Sequence, residues 1–298
     1  MKLSYYIQRA SFKLLSRTYW YNNVAFGDCA KFWKHRTFEM DVVNLGSSSG
    51  KAAFDYSAYP SLKAANWAMA PQTFVADLEI LRNYCCFLKE GATVILPICP
   101  FSSLGGANDD LPDKYYTVLN IASIPNASFR RYRAQMQIKE KPWLYFPALP
   151  VDFLRNKIKR FKTTDIEIDA NIRLNSWKKE FSILDFENEL SIVNKDSFDD
   201  GISVLKKIFN FCKSHRYRVV VILPPVHEAL SSKFTPSMKR KFIDAFVEKA
   251  IKDENVDFFD YFTDKRFTKE MFSDSFLLNK RGASLFTDIV LKDINIAQ

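Results

Sequence analysis

Polar side chains suited to chemistry are concentrated in a few short loops of the sequence. These loops are Gly46-Ser47-Ser48-Ser49-Gly50, Pro71–Thr73, Pro100–Ser103, Pro225–Glu228 and residues 272–279. A serine hydroxyl is a weak nucleophile unless an adjacent base takes its proton. The backbone amides of the serine-rich loop could instead bind an anion at the start of a helix. The residue types therefore indicate either nucleophilic catalysis or ligand binding at a polar site.

Several single residues are candidates for this site, and each has a structural alternative. Ser48 is either a nucleophile or ligand contact, or a turn serine that caps the following helix. His227 is the only histidine in these loops and is either a general base or a surface residue after two prolines. Asn66 and Gln72 either donate to an oxyanion or a sugar hydroxyl, or satisfy loop backbone as buried amides. The remaining predicted ligand contacts are Gly46, Ser47, Ser49 and Ser102.

Hydrophobic patterning predicts an alternating series of strands and helices. Predicted strands span residues 41–45, 93–99, 217–223 and 256–261, and a further apolar segment spans 64–70. Predicted helices span residues 74–89, with Gly91 as the C-cap, 201–214, 237–252 and 279–294. This alternation is typical of βαβ units, so we expect an α/β fold with a central parallel sheet. The carboxyl ends of parallel strands share one edge, where the polar loops should meet.

The chain of 298 residues is predicted to form a single domain with two additional parts. Residues 1–40 form an N-terminal helical extension, and residues 104–200 form an irregular insertion rich in charged residues. A helix is predicted over residues 3–19, with an apolar stripe that comprises Leu3, Tyr6, Ile7, Ala10, Leu14 and Leu15. Lysines and arginines flank this stripe, so the helix either packs on its own domain or lies on an anionic membrane.

Composition argues against several classes of protein. Hydrophobic residues make up 47% of the chain, which does not fit global disorder. The net charge of +9 is spread over short clusters, and the absence of a nucleic-acid motif predicts no nucleic-acid partner. The five cysteines lack zinc-ligand spacing, so no metal or other cofactor is predicted. An odd cysteine count, no secretory signal and no membrane-spanning run predict a cytoplasmic protein, at most peripheral to the inner face of the membrane.

The turn Asn44-Leu45-Gly46-Ser47-Ser48-Ser49 resembles the Gly-Asp-Ser-type turn of the SGNH/GDSL hydrolase superfamily. The resemblance places Ser48 at the nucleophile position and implies a three-layer, flavodoxin-like fold. That family closes with an Asp-x-x-His motif before its last helix. Here the segment reads Asp274-Ser275-Phe276-Leu277, so Asp274 matches the acid and Leu277 takes the place of the histidine. The Gly-x-Asn-Asp oxyanion segment of the family is also not visible after the third strand.

A closer similarity is to SGNH-like proteins encoded among bacterial capsule and surface-polysaccharide genes. It rests on residues 44–48, 66–73, 99–102, 222–226 and 275–280. This resemblance implies an acyl-ester hydrolase or O-acyltransferase acting on surface glycans or their precursors, with Ser48 as nucleophile and His227 as base. The alternative is a catalytically inactive binding or assembly protein in polysaccharide biosynthesis. The expected ligand is a glycan or acylated sugar, and simple esterase activity should be very weak because Leu277 cannot act as a base.

Overall fold

The computed structural model describes residues 2–15, 28–33, 37–151, 154 and 165–296. Its five strands are β1 Met40–Asn44, β2 Ala64–Asn66, β3 Leu88–Pro97, β4 Arg218–Leu223 and β5 Asp257–Asp260. The α-helices are, in chain order, α1 Lys2–Leu15, α2 Ala30–Trp33, α3 Ser48–Ala53, α4 Phe74–Tyr84, α5 Ser102–Gly105, α6 Phe129–Glu140, α7 Ile166–Glu180, α8 Ile192–Ser214, α9 Glu228–Ser231, α10 Pro236–Lys239, α11 Ala245–Ile251 and α12 Lys280–Asp293. Short 3₁₀ helices span Tyr56–Ala58, Cys85–Phe87, Asp113–Thr117, Ile121–Ser123, Pro142–Ala148 and Lys269–Met271, and Arg240–Asp244 is a π-helix.

The chain divides into two compact units. The sheet unit comprises residues 37–109 and 165–298 and contains all five strands. The second unit comprises residues 1–36 and 110–164 and contains α1, α2 and α6. Residues 165–200, which we predicted to belong to an insertion, lie in the sheet unit. The organisation of the whole chain as a single domain stays a prediction.

The sheet is fully parallel and confirms the predicted α/β class. Its strand order is β2-β1-β3-β4-β5, the order of flavodoxin-like folds. In register, Val43 lies opposite Ala65 on one side and Val94 on the other. Val94 in turn lies opposite Val219, and β4 pairs with β5. A three-layer SGNH-like domain has this architecture.

Helices cover both faces of the sheet, which explains the nearly continuous apolar runs of β3 and β4. Val42, Ile95 and Val220 face one core, which also contains Phe286 and Val290 of α12. Successive strand residues point to opposite faces. On the other side α8 packs against α4 and α11. The central strands are therefore buried on both faces.

Two sequence predictions about element ends were wrong. Gly91 does not cap a helix, because α4 ends at Tyr84, a 3₁₀ turn follows, and Gly91 lies within β3 with φ of 75°. The strand begins early because Leu88 pairs with Met40 of β1. The helix predicted over 201–214 begins at Ile192. Local patterning did not resolve these ends because tertiary pairing and capping set them.

The N-terminal helix is observed over residues 2–15, and residues 16–19 of the prediction lie outside the described residues. The predicted apolar stripe is only partly buried. Ser11 and Leu15 are buried, whereas Tyr6, Ile7 and Leu14 are exposed. Across the described ranges, no helix is long and apolar enough to cross a membrane.

Candidate functional site

The loops predicted to form the site lie at one edge of the sheet. Because all strand pairs are parallel, the carboxyl ends of the strands share this edge. The chain leaves β1 towards β2 on one side and returns to β3 on the other, so a switch point lies between β1 and β3. Ligands of open parallel sheets usually bind at such a point. Ser48 lies at the carboxyl edge of β1, on the same edge as residues 100–103 and 225–228, as predicted.

The turn between β1 and α3 requires glycine at two positions. Gly46 has φ of 100°, a conformation that residues with side chains disfavour. A Cβ atom at Gly46 would lie 3.0 Å from the carbonyl oxygen of Pro97, and one at Gly50 would lie 2.6 Å from that of Leu45. The turn is therefore pressed closely against the end of β3, and Ser48 follows it as the first residue of α3.

A buried carboxylate anchors this turn. Asp77 Oδ1 accepts a 2.9 Å hydrogen bond from the Gly46 amide and a short one from Gln72 Nε2. Gln72 Oε1 accepts a hydrogen bond from the backbone amide of Met69 at 2.7 Å. The backbone amide of Gln72 donates a hydrogen bond to Ser47 Oγ at 3.2 Å. Burial raises the pKa of Asp77 to about 7, against the lowering effect of its two hydrogen bonds. Gln72 and Ser47 thus hold the turn, as the structural alternative predicted for the Gln72 amide.

Ser48 is a half-buried residue. Within the described part of the chain, its Oγ makes no hydrogen bond. Ser47 occupies the N-cap position of α3, and its side chain makes no capping hydrogen bond, while Ser49 is buried. Ser48 is therefore the first helical residue rather than the cap that the structural alternative described.

Asn66 holds α3 in place. Its Nδ2 donates hydrogen bonds to the carbonyl oxygens of Lys51 at 3.1 Å and Phe54 at 3.2 Å. Its Oδ1 accepts hydrogen bonds from Asn44 Nδ2 at 3.0 Å and from the Ala68 amide at 3.1 Å. These contacts agree with the alternative in which the amide satisfies backbone groups. An oxyanion role would require these hydrogen bonds to break, and it stays a prediction.

The loop after β3 is occupied by a cluster of rings. Ser102 Oγ accepts a 2.9 Å hydrogen bond from the Cys99 amide, which closes the loop. Between them Phe101 is only 2% exposed. Its ring packs with those of Trp177, Phe181, Phe186, Phe234 and Phe242. This part of the edge is apolar, and the Ser102 hydroxyl hydrogen-bonds to the loop backbone.

His227 is the N-cap of α9. Its Nδ1 accepts a 3.0 Å hydrogen bond from the Ala229 amide, and its ring packs edge-on against Phe272 at a centroid distance of 5.4 Å. The residue is 9% exposed, so the alternative of a surface histidine is wrong. Because Nδ1 accepts a hydrogen bond, the neutral ring carries its proton on Nε2. In this state Nε2 is a donor and cannot accept a proton from a serine.

Asp274 supports the turn that precedes α12. Its Oδ1 accepts hydrogen bonds from the amides of Phe276 and Leu277, each at 2.8 Å. Its Oδ2 lies 3.4 Å from an Arg173 guanidinium nitrogen. Asp274 therefore caps the segment that leads to α12. Leu277 is half-buried.

Sequence patterning missed a polar contact between α7 and this turn. Ser275 is fully buried, and its Oγ donates a 2.5 Å hydrogen bond to Asp169 Oδ2. Arg173 lies 3.5 Å from the same oxygen, and its guanidinium stacks over the Phe276 ring at 5.0 Å. The acid and base four residues apart on α7 were the available sequence signal. Within the sheet unit, helix α7 therefore holds the segment containing Asp274 in place.

The described residues contain no group of three or more histidine, cysteine or acidic side chains placed to hold a metal ion.

The chain matches no model of a known protein family, and no curated protein matches it. Solved structures of similar fold include a Streptococcus pneumoniae protein provisionally assigned as a platelet activating factor. It is 12% identical, with a TM-score of 0.45 over 90% of this chain and 91% of that one. Another is a Bacteroides fragilis protein provisionally assigned as an acylhydrolase, 10% identical, with a TM-score of 0.41 over 89% of this chain and 93% of that one. Both similarities concern the fold alone.

Proposed function

We propose that this chain binds an acylated surface glycan or glycan precursor at the Ser48 turn, as a binding or assembly protein without efficient catalysis. One observation carries the proposal. Among the described residues, no acid or base is hydrogen-bonded to Ser48 Oγ, although the turn around it is fully formed. The ligand class rests on the sequence resemblance to SGNH-like proteins of capsule and surface-polysaccharide genes.

The chemistry of the three candidate catalytic residues favours binding over turnover. A serine without a base remains a poorly activated alcohol. His227 has the tautomer that donates from Nε2, because its Nδ1 caps α9. Asp274 is engaged by two amides and by Arg173. Leu277, at the position of the family's histidine, supplies no proton acceptor.

A second candidate function is an acyl-ester hydrolase or O-acyltransferase. The observation that favours it is the half-exposed, unengaged hydroxyl of Ser48 on a turn that holds its position. In this mechanism Ser48 Oγ would attack the ester carbonyl and form an acyl-enzyme as the sugar hydroxyl leaves, and water or an acceptor hydroxyl would then take the acyl group. His227 would act as base only after its ring gave up the Ala229 hydrogen bond and moved its proton to Nδ1. Asn66 and Gln72 would have to exchange existing hydrogen bonds for contacts with the oxyanion.

The test compares binding and turnover in the same set of proteins. These are the wild type, Ser48→Ala, His227→Ala, Leu277→His and the control Ser57→Ala, which changes an exposed serine of the same unit. Turnover is measured on p-nitrophenyl acetate and on O-acetylated capsular polysaccharide, and binding of that polysaccharide by calorimetry. We expect turnover near background throughout. Ser48→Ala should bind the polysaccharide about tenfold more weakly, because it loses one hydrogen bond to the ligand. Ser57→Ala should bind it as tightly as the wild type does.

Other outcomes would separate the two candidates. Robust turnover that disappears in both Ser48→Ala and His227→Ala would establish the hydrolase or transferase. Robust turnover that Ser48→Ala leaves unchanged would place the active site elsewhere. Polysaccharide binding that Ser48→Ala leaves unchanged would refute the proposed binding site.

A further inference from the structure

Positive charge is concentrated in the unit formed by residues 1–36 and 110–164. This unit carries 18 of the 43 lysines and arginines but only 5 of the 34 aspartates and glutamates, a formal net charge of +13. The remaining residues have a formal net charge of −4. We therefore call the second unit the basic unit. The excess positive charge of the protein therefore lies in this unit, whereas the sequence pattern had indicated clusters scattered along the chain.

Apart from the buried Leu15, the described side chains of the apolar stripe of helix α1 are exposed in the basic unit. Ser11 and Leu15 are buried, and Gln8 Nε2 donates a 3.0 Å hydrogen bond to the Lys139 carbonyl oxygen, so this side of the helix faces the unit. On the opposite side, Tyr6 is 62% exposed, whereas Leu14, three residues after Ser11, is 44% exposed. Ile7 is also exposed and lies one turn before Ser11, so Ile7 and Leu14 border the buried side of the helix. The helix thus contacts its unit through Gln8, Ser11 and Leu15, and Tyr6, Ile7 and Leu14 remain exposed.

A neighbouring element enlarges this apolar surface. Helix α1 packs against the 3₁₀ helix Pro142–Ala148, in which Leu144 and Phe146 are exposed. Val151 and Leu154, a few residues further along, are exposed as well. We call Tyr6, Ile7, Leu14, Leu144 and Phe146 the apolar face of the basic unit.

Basic side chains accompany this face. Arg9 and Lys13 are exposed on α1, and Lys141 is exposed immediately before the 3₁₀ helix. Arg130 and Arg133 are exposed on α6, which contacts the same 3₁₀ helix. Apolar side chains flanked by lysine and arginine are the pattern of elements that lie in the surface of an anionic bilayer.

We propose that the basic unit docks on an anionic lipid surface through this apolar face, with α1 lying in the plane of the membrane. Aliphatic side chains such as Ile7 and Leu144 insert between headgroups, and the surrounding cations pair with lipid phosphates. This inference is independent of the function proposed for the Ser48 turn.

Charge and side-chain type favour lipid over other partners. A second copy of the chain would bring one strongly positive unit against another, which is unfavourable. Single-stranded nucleic acid is bound by aromatic rings that stack on bases, whereas three of the five residues of the apolar face are aliphatic. The exposed apolar residues of the sheet unit provide a contrast. Ile192 and Val193 follow an acidic segment containing Asp185, Glu187 and Glu189, so an anionic surface would repel them.

The experiment is co-sedimentation of the full chain with vesicles. One set contains phosphatidylcholine and phosphatidylglycerol in equal parts, and the other contains phosphatidylcholine alone. Ile7→Gln/Leu14→Gln tests the apolar contribution, since glutamine preserves helix propensity. Arg9→Gln/Lys141→Gln tests the charge. The controls make the same types of change at exposed residues of the sheet unit, Ile192→Gln/Val193→Gln and Lys179→Gln/Lys207→Gln.

We expect sedimentation with anionic vesicles, little with neutral ones, and release as salt rises. The apolar double variant should bind about tenfold more weakly or worse. The charge variant should lose about fivefold for each residue removed. Both controls should behave like the wild type, and circular dichroism should show that all variants are folded.

Three results would overturn the proposal. The first is equal binding to neutral and anionic vesicles, or equal binding by the test variants and their controls. The second is tight binding of a labelled single-stranded oligonucleotide with no sedimentation on vesicles, which would indicate a nucleic-acid surface. The third is a dimer in light scattering that only Ile7→Gln/Leu14→Gln disrupts, which would make the face a contact between copies.

Discussion

The backbone amide of Gly46 donates a 2.9 Å hydrogen bond to the buried Oδ1 of Asp77, 31 residues further along the chain. This contact joins the turn that carries Ser48 to helix α4. The same oxygen accepts a hydrogen bond from the side-chain Nε2 of Gln72, and the backbone amide of Gln72 donates a hydrogen bond to Ser47 Oγ. A single carboxylate therefore organises the turn, and its protonation state has consequences for stability.

The first prediction concerns this carboxylate. Burial raises the pKa of Asp77 to about 7, above its unfolded value of about 4, against the effect of its hydrogen bonds. Asp77 thus favours folding most below pH 4, and this contribution is lost as pH rises towards 7. Asp77→Asn keeps an acceptor for both donors and removes the charge. It should match the wild type near pH 4 and be more stable by roughly a few kcal/mol at pH 8.

Urea unfolding of both proteins across this pH range measures the difference. Asp77→Ala is the control, because it removes the acceptor and leaves two buried donors unpaired. It should be destabilised by about 1–3 kcal/mol relative to Asp77→Asn at every pH. A difference between wild type and Asp77→Asn that does not change with pH would show that Asp77 does not titrate in this range.

The second prediction distinguishes the cost of a positive φ from the cost of steric crowding at two glycines. Gly46 and Gly91 both have positive φ, but an added Cβ meets the Pro97 carbonyl oxygen only at Gly46 and meets nothing within 4 Å at Gly91. Gly91→Ala should cost about 1 kcal/mol of unfolding free energy for its backbone conformation. Gly46→Ala should cost about 1–2 kcal/mol more because the alanine also crowds β3. Equal losses in chemical denaturation would contradict the close approach.

The third prediction concerns the tautomer of His227. The hydrogen bond from the Ala229 amide to Nδ1 requires the proton of the neutral ring to lie on Nε2. Long-range ¹H–¹⁵N correlation spectra at a pH where the ring is neutral should show this tautomer. His227→Asn, which can still cap α9, should be more stable than His227→Ala by about 1 kcal/mol. A protonated Nδ1 in the spectrum would restore His227 as a candidate base.

The fourth prediction concerns the contact between α7 and the turn before α12. Arg173 lies within 3.5 Å of Asp169 and Asp274 and stacks over Phe276. Arg173→Ala should destabilise the protein by roughly 1 kcal/mol, since its side chain is partly exposed. The amide of Ser275, which donates to Asp169, should exchange hydrogen faster. Lys179→Ala, on the exposed side of the same helix, should leave that exchange unchanged.

Local sequence patterns predicted the elements that position the site. The apolar runs of β3 and β4 can be buried only inside a sheet covered on both faces, and their alternation with helices implies parallel pairing. Parallel pairing then places the loop containing Ser48 on the same edge as the loop containing His227. The close approach of Pro97 to Gly46, in contrast, is a tertiary contact that appears only in the folded chain.

Only the tertiary structure decided what the polar side chains do. Asn66 and Gln72 have amide groups suited to an oxyanion, yet Asn66 contacts carbonyl groups of α3, and Gln72 contacts Ser47 and Asp77. The exposed side of α1 was decided in the same way, because its stripe is compatible with burial or exposure until a neighbouring element covers one face. Hydrophobic periodicity is a property of one segment and is legible in one sequence. The satisfaction of a hydrogen bond depends on two segments brought together by packing, and that pairing exists only in the folded chain.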